Sequence, residues 1–458
     1  MDADVVADVV VVGMGPGGEQ VAEDLTQSGL DVVGIEAELV GGECPYWGCV
    51  PTKMMVRAAD LLAEGRRIPG AAGGSVVTPD WTAVARRIRD EATDDWNDAV
   101  AVARFEAKGG RFVRGRARVT GPGSVEVDGA EIRVRRALVL ATGQRAWVPP
   151  IFADVPHWTN RDAVAAESVP ASLLVVGGGA VGLEIGQVMG RFGSAVSVVE
   201  LGERLVGPEE PEVSALIADV LRREGVAVRT GAVIERVEPS GATGATLHLQ
   251  GGEALSGERL LVATGRRSDL TSLGVDALGL DTEARAVPVD GRMRVVPGVW
   301  AVGDITGKGA FTHVAVFQAR LCVADILGRP LPDADYRALP RVTFTDPEIG
   351  SVGLTEEQAR VEGGDVTVFH QPLSASTRGW INQAEGFVKL VARDGILVGA
   401  TSMGPTGGEV LGLLALAVHA RVPLDAMRSM IFAYPTFHRV VDSALWSPPN
   451  SASNMAGA

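Results

Sequence analysis

Val5 to Val12 is a short, β-branched and almost wholly apolar run, the pattern of a strand buried on both faces of a parallel sheet. A glycine cluster, Gly13-Met14-Gly15-Pro16-Gly17-Gly18, follows it. Helical spacing then runs from Glu19 to Gln27, and a second apolar strand, Asp31 to Ile35, ends at Glu36. The same order returns later: Leu173 to Val176, Gly177-Gly178-Gly179-Ala180-Val181-Gly182, a helix to about Phe192, and Ala195 to Val199 ending at Glu200. Strand, glycine turn, helix, strand and acid is the order a dinucleotide site requires. Gly13 and Gly15 let the backbone approach a pyrophosphate, Gly18 lets the helix pack closely, and the helix N-terminus offers free amides. Gly177, Gly179 and Gly182 repeat the arrangement. Glu36 and Glu200 are placed to hold a ribose diol. Glu200 would also repel a 2′-phosphate, which favours NADH over NADPH, although Arg204 nearby works the other way. Two complete units predict two nucleotide cofactors held at once.

The remaining segments read less sharply. From Met54 to about Lys108 the chain is Ala- and Arg-rich with helical spacing, broken at Gly70 to Ser75 and restarted at Pro79, which predicts a long helical pair. Arg111 to Leu140 alternates as strands and ends in Ala141-Thr142-Gly143; Pro149 and Pro150 read as a linker. A second Ala263-Thr264-Gly265 closes the inserted unit, and Val299 to Val302 leads into Gly303-Asp304. From about Leu339 the pattern becomes alternating strands, including Arg341 to Thr345 and Phe387 to Ala392, with helices at Gly408 to His419 and Leu424 to Ile431.

Bulk properties narrow the class. The 458 residues exceed one ordinary domain, and a net charge of −15 disfavours nucleic acid or an acidic membrane as partner. No apolar run is long enough to span a bilayer, and the acidic Met1-Asp2-Ala3-Asp4 start is unlike a signal peptide. Three cysteines in so long a chain point to a reducing compartment, so a cytoplasmic enzyme is expected. No histidine spacing suggests a metal site, and Cys322 reads as a buried small hydrophobe.

Two of the three cysteines stand in Gly41-Gly42-Glu43-Cys44-Pro45-Tyr46-Trp47-Gly48-Cys49-Val50-Pro51-Thr52-Lys53. On an ideal helix, residues i and i+5 have Cα atoms roughly 8–9 Å apart, beyond the separation of about 7 Å that a disulfide tolerates. A bridge therefore needs a distorted first turn, and Pro45, Gly48 and Pro51 are residues that distort one. A redox-active pair explains the run better than two unrelated thiols.

Together these residues resemble the pyridine nucleotide–disulfide oxidoreductases, the flavoprotein family of dihydrolipoamide dehydrogenase, glutathione reductase and mercuric reductase. The likeness runs from about Val5 to Trp446. It takes in the Gly-Gly-x-Cys-x4-Cys-x-Pro-x-Lys run, both fingerprints, both Ala-Thr-Gly turns, Gly303-Asp304, Thr345-Asp346-Pro347-Glu348 and Val352-Gly353. The resemblance implies an α/β fold with two Rossmann-like domains, for FAD and NAD, plus a C-terminal α+β dimerisation domain. The implied divisions are 1–147 and 267–335 for the FAD-binding and central part, 148–266 for NAD, 336–447 for dimerisation, and a disordered tail at 448–458. It further implies that Gly13, Gly15, Gly18, Glu36, Gly115, Thr142 and Gly143 bind FAD, with Asp304 on the ribityl chain. Phe311, Thr312 and His313 would approach the isoalloxazine, His313 through its backbone rather than its ring. Gly177, Gly179, Gly182, Glu200, Val233 and Gly265 would bind NAD. Cys49 would be the thiolate facing the flavin and Cys44 the thiol that meets substrate. Lys53 would pair with Glu184 beside the flavin, where a cation stabilises developing negative charge. A homodimer is implied, in which Tyr434 faces the partner's Cys44.

The chain departs from the family at its C-terminal His-Pro-Thr-x-x-Glu motif. Here the run is Tyr434-Pro435-Thr436-Phe437-His438-Arg439, with Tyr434 at the histidine position and Arg439 at the glutamate position. A phenol, with an ordinary pKa of about 10, is no base at neutral pH. Arginine would instead attract an anion or depress a neighbouring acid's pKa. His438 is a candidate substitute base, and the bond before Pro435 is a candidate cis peptide. Tyr46 and Trp47, bulkier than the family's usual residues, would either pack or stack on a flat acceptor. The leading expectation is a small disulfide or dithiol substrate. The next is a quinone or other flat oxidant, then a carboxylating enzyme like the branch acting on 2-ketopropyl-coenzyme M, then a non-catalytic flavin-bearing subunit. The absence of cysteine after Ser447 removes the thiol tail of the mercuric and larger thioredoxin reductases.

Overall fold

The computed structural model describes residues 5–449; the tail expected to be disordered lies, from 450 on, outside the described residues. Val5–Val12 forms the strand expected and is buried from both sides. Val9 and Val11 meet one apolar layer with Leu25 and Phe105, while Val10 and Val12 meet the other with Leu138 and Leu140. A period-2 strand with apolar residues at both parities must be covered on both faces. Helices α1 (Pro16–Gln27), α2 (Glu43–Tyr46), α3 (Cys49–Arg67), α4 (Trp81–Arg87) and α5 (Ala99–Ala107) belong to this part of the chain.

The sheet that α1 and α5 flank runs Arg294–Val296, Val299–Ala301, Ala130–Leu140, Val5–Val12, Val32–Glu36, Arg111–Arg114, all parallel after the first. Its first two strands come from beyond residue 290, so the chain leaves this sheet and returns to it. The excursion holds a second parallel sheet, ordered Ala227–Arg229, Ala195–Val199, Ser172–Val176, Arg259–Val262. Helices α6 (Asn160–Val164), α7 (Ala180–Arg191) and α8 (Pro211–Arg223) accompany it. The outgoing and returning chains pair antiparallel at Arg145–Ala146 and Arg266–Arg267, directly after the two Ala-Thr-Gly turns. A five-stranded antiparallel sheet follows, ordered Pro340–Thr343, Glu348–Gly353, Ile396–Gly404, Phe387–Arg393, Val366–Pro372. The α/β architecture is thus as expected. No helix among the described residues is long and apolar enough to cross a membrane.

Three expectations need correction. The helical pair at 54–108 is three pieces: α4 runs into a π-helix, Ile88–Ala92, and the residues Asp94, Asp95 and Trp96 are all left-handed before α5 begins. Asp98 explains the break, because its carboxylate accepts the Val40 amide at 2.7 Å and pairs with Arg114, pulling the chain onto the sheet. The segment at Pro149 and Pro150 is no free linker but a 3-10 turn that buries Phe152. The last predicted helix stops at Arg428, leaving Ile431 outside it and 97% exposed.

Ion pairs join the sheets. Lys389, in a central strand of the C-terminal sheet, is buried and gives Nζ to Glu210 (3.0 Å), Glu212 (2.8 Å) and Glu356 (2.9 Å). Glu210 and Glu212 sit at the start of α8, so this cation ties the second sheet to the third. Replacing Lys389 with Met would take the cation from Glu210 and Glu212, leaving Glu356 its pair with Arg360, at an expected cost of about 3–5 kcal/mol. Urea unfolding should show the loss, and adding Glu210→Gln should recover part of it.

Candidate active site

The two glycine turns are built alike. Gly13 (φ +95°) and Gly177 (φ +110°) lie against the carbonyls of Ala141 and Ala263, with no room for a Cβ. Each Ala-Thr-Gly turn is thus the wall against which a first fingerprint glycine is pressed. Gly18 and Gly182 close in turn on the carbonyls of Gly13 and Gly177. Gly15 and Gly179 are the open members: the nearest atom to a Cβ on Gly15 is 3.9 Å away, and nothing lies within 4 Å of one on Gly179. Space is kept where a pyrophosphate would approach the helix N-terminus.

Glu36, at the end of its strand, accepts the Met14 amide on one oxygen (2.8 Å) and the Glu38 amide on the other (2.8 Å). Burial pushes its carboxyl above the ordinary range. Gly13, Glu36, Gly115, Thr142 and Gly143 converge on one open cleft. The cleft also takes in Arg267, which had carried no signal in the sequence. Glu200 repeats the pattern, accepting the amides of Gly178 (2.5 Å) and Gly202 (2.6 Å). Arg204 is turned away from it, giving Nη1 to the Glu209 carbonyl (2.6 Å) and the Ser214 hydroxyl (3.0 Å). Gly265 (φ +115°) accepts the Trp147 amide through its carbonyl, and Val233 is an exposed residue before the strand Ile234–Ser240. Asp304 pairs with Arg266 at 2.9 Å, yet burial still raises its carboxyl.

The distorted turn between the cysteines takes a definite form. The short α2 carries Cys44, breaks at Trp47 and Gly48, and α3 starts afresh at Cys49. Cys49 therefore occupies the first position of a 19-residue helix, where the macrodipole favours an anion. The sulfurs are free thiols. The Cys44 thiol donates to Cys49 and does most to hold the Cys49 thiol down, to about 5; burial opposes it, and Thr312 and Lys53 help. Thr312 Oγ1 lies 3.5 Å from Cys49 Sγ. Cys44 is driven far above the ordinary cysteine range because its proton is held in that hydrogen bond and by burial.

Lys53, one turn along α3, meets Glu184 of α7 at 2.6 Å. The other Glu184 oxygen accepts the Phe344 amide at 2.9 Å, and the Phe344 ring lies 4.5 Å from Lys53 Nζ. Below them, Gln187 exchanges hydrogen bonds with the Asp346 backbone, and Arg191 reaches Asp60, Glu224 and Asp346 at 2.6–2.7 Å. This stripe escaped the sequence reading, although Glu184, Gln187 and Arg191 at i, i+3 and i+7 were its signal.

Elsewhere the outcome is mixed. The His313 ring donates to the Pro340 carbonyl at 3.0 Å and stacks on Phe311. Tyr434 gives its hydroxyl to Thr377 (3.1 Å) and carries the Arg439 guanidinium 5.6 Å over its ring. Arg439 pairs with Asp442 at 3.4 Å. Among the described residues the His438 ring meets the Thr436 hydroxyl (3.3 Å) and the Phe432 ring. The Tyr434–Pro435 bond is cis. Tyr46 is buried, and Trp47 stacks on Trp96 rather than facing open space. No cluster among the described residues could hold a metal ion.

Known proteins agree with this arrangement. Residues 7–319 match the Pyridine nucleotide-disulphide oxidoreductase family, and residues 339–445 match its dimerisation domain. The dihydrolipoyl dehydrogenase of Chlorobaculum tepidum is 33% identical over 452 residues, covering 95% of this chain and 96% of that protein. That of Thermus scotoductus is 34% identical over 451 residues, covering 94% of each. Among solved structures, the HOCl-induced flavoprotein disulfide reductase RclA from Escherichia coli superposes with a TM-score of 0.82 at 25% identity, covering 96% of this chain and 99% of that one. With the paired thiols, the doubled fingerprint and the Lys53–Glu184 pair in one molecule, the chain belongs to the FAD-dependent pyridine nucleotide–disulfide oxidoreductases.

Proposed function

We propose that this enzyme is NADH-linked and uses Cys44 and Cys49 as a redox pair toward a small disulfide or dithiol, in the manner of dihydrolipoyl dehydrogenase. The observation that carries the reading is the placement of the thiols: Cys44 and Cys49 flank a broken helical turn, and Cys49 opens a 19-residue helix that carries Lys53, paired with Glu184, one turn on. A pair of structural thiols has no need of that placement. The cleft lined by Gly13, Glu36, Thr142 and Gly143 would receive the ADP half of FAD, with the open Gly15 leaving the backbone approachable at the start of α1. When bound, FAD supplies the two-electron relay between nicotinamide and sulfur. Asp304 and the 311–313 segment would hold its other half. Gly179, Glu200, Val233 and Gly265 would receive NADH, and the withdrawal of Arg204 supports NADH over NADPH. The division of the chain at 147, 266 and 335 follows from these roles.

The chain's own residues account for the exchange. Cys44 sulfur attacks a disulfide R–S–S–R′ as its proton leaves, forming a mixed disulfide and releasing R′–S⁻, which takes that proton. The Cys49 thiolate then attacks the Cys44 sulfur, releasing R–S⁻ and closing the Cys44–Cys49 bond, so two electrons reach the substrate. Lys53, fixed by Glu184, offsets negative charge through this cycle. Run backward, the same steps oxidise a dithiol. The dimerisation-domain match and the exposed Trp380, Leu416 and Ile431 support a homodimer. Tyr434, without a base, would then offer the site a phenol and a neighbouring guanidinium rather than an imidazole.

With FAD-loaded enzyme and NADH, a panel of lipoamide, other disulfides, dithiols and quinones tests the assignment. Cys44→Ser should lower disulfide reduction on the order of 10³-fold or more. Undiminished quinone reduction in that variant, with wild-type disulfide rates at background, would replace this reading by that of a quinone or flat-acceptor reductase. The proton asymmetry has its own check. Iodoacetamide labelling of Cys49 in the dithiol form should be half-maximal near pH 5. Cys44→Ala removes the donor, and the midpoint should then rise toward the ordinary cysteine value of about 8.5. An unmoved midpoint would mean that Cys44 does not hold the thiolate.

A further inference from the structure

The turn between the cysteines is gripped from two sides by residues that the glycine fingerprints do not involve. On one side is α6. Arg161 gives Nε to Glu43 at 2.7 Å and Nη1 to Glu38 at 2.8 Å. Its guanidinium lies 5.5 Å from the Trp47 ring. Asn160 Nδ2 donates to the Trp47 carbonyl (2.9 Å) and to Glu43 (3.2 Å). On the other side is Trp96, stacked on Trp47 with ring centroids 5.2 Å apart and planes 19° from parallel. Its indole N–H donates to the Tyr46 carbonyl at 3.3 Å.

Trp96 is held there at a steric cost. It is the last of three consecutive left-handed residues, with Asp94 at φ +49°, Asp95 at +55° and Trp96 at +55°. None is glycine, and left-handed backbone in such residues is disfavoured. The run follows directly on the π-helix Ile88–Ala92, whose last turn is tied down by the buried Thr93 hydroxyl bonding to the Ile88 and Arg89 carbonyls. A π-helix and a strained run in succession, ending in one indole laid on the redox turn, mark a segment held for what it positions.

We propose that Trp96 and Arg161 are positioning residues that clamp Pro45 to Gly48 and thereby set the reduction potential of the Cys44–Cys49 pair. The inference rests on the reading of that pair as redox-active. Closing the bridge removes two electrons and the Cys44 proton from the pair; with oxidised dithiothreitol as acceptor, these and one proton from water appear as reduced dithiothreitol. A clamped turn keeps the two sulfurs within reach and makes closure easier. A loosened turn, with Gly48 free to rotate, lowers their effective concentration and makes the disulfide a stronger oxidant.

The test equilibrates FAD-loaded protein anaerobically with mixtures of reduced and oxidised dithiothreitol. Alkylation with peptide mapping then reads Cys44 and Cys49 apart from Cys322. Trp96→Ala should need about a tenfold larger oxidised-to-reduced ratio for half-closure, a rise of about 30 mV for a two-electron couple. Trp96→Phe, which keeps the stacking, should recover most of the wild-type ratio. If Trp96→Ala fails to fold, Arg161→Lys takes its place with the same direction of shift, because an ammonium cannot bridge Glu38 and Glu43 while lying flat on the indole. A folded Trp96→Ala protein, or in its place Arg161→Lys, titrating at the wild-type ratio would overturn the clamp. A wild-type protein that forms no Cys44–Cys49 bridge at any ratio would instead overturn the redox assignment beneath it.

Discussion

One stripe of three polar side chains on α7 holds the reactive region together. Glu184, Gln187 and Arg191 are buried on a helix that is otherwise apolar. Glu184 fixes Lys53 of α3 and the backbone at Phe344, Gln187 fixes the backbone at Asp346, and Arg191 fixes Asp60, Glu224 and Asp346. Helix α3, helix α7 and the loop between the first two strands of the C-terminal sheet therefore meet in one network. Removing one member of a buried network leaves the others unpaired, which is why such contacts fix geometry more strictly than apolar packing does. The cysteines sit at the head of this junction, at the start of the helix that carries Lys53 and Asp60.

Much of the fold was legible because its signals are local. A glycine pressed against a carbonyl, an apolar strand and a terminal acid each leave a mark within a few residues. Both units and the Ala-Thr-Gly turns that close them could therefore be read, whereas binding roles for Gly115, Thr142 and Gly143 rested on the resemblance alone. The Lys53–Glu184 pair, 131 residues apart, came only through family resemblance. The clamp around Trp47 was not legible at all, because Trp96 and Arg161 lie 49 and 114 residues further along the chain and only the fold brings them to one ring. The helical pair at 54–108 failed for a related reason: the pull of Asp98 on Val40 and Arg114 is tertiary, and helix propensity does not register it.

The C-terminal departure takes a clearer physical form in three dimensions. Tyr434 and Arg439 are coupled to each other through the ring face, and Asp442 balances the arginine. The motif has exchanged an imidazole–carboxylate couple for an aromatic–guanidinium one, which positions a ring but does not relay a proton at neutral pH. The thiol pair carries an offset of its own, since the contact between the two thiols lowers the Cys49 pKa and raises that of Cys44.

Electron counting addresses the heart of this picture most directly. The oxidised, FAD-loaded protein is titrated anaerobically with NADH while flavin colour and the thiols of Cys44 and Cys49 are followed together. The first equivalent should open the disulfide and leave most of the flavin colour in place, and bleaching should require a second. Full bleaching by the first equivalent, with Cys44 and Cys49 unchanged, would contradict a sulfur pair in the path of the electrons.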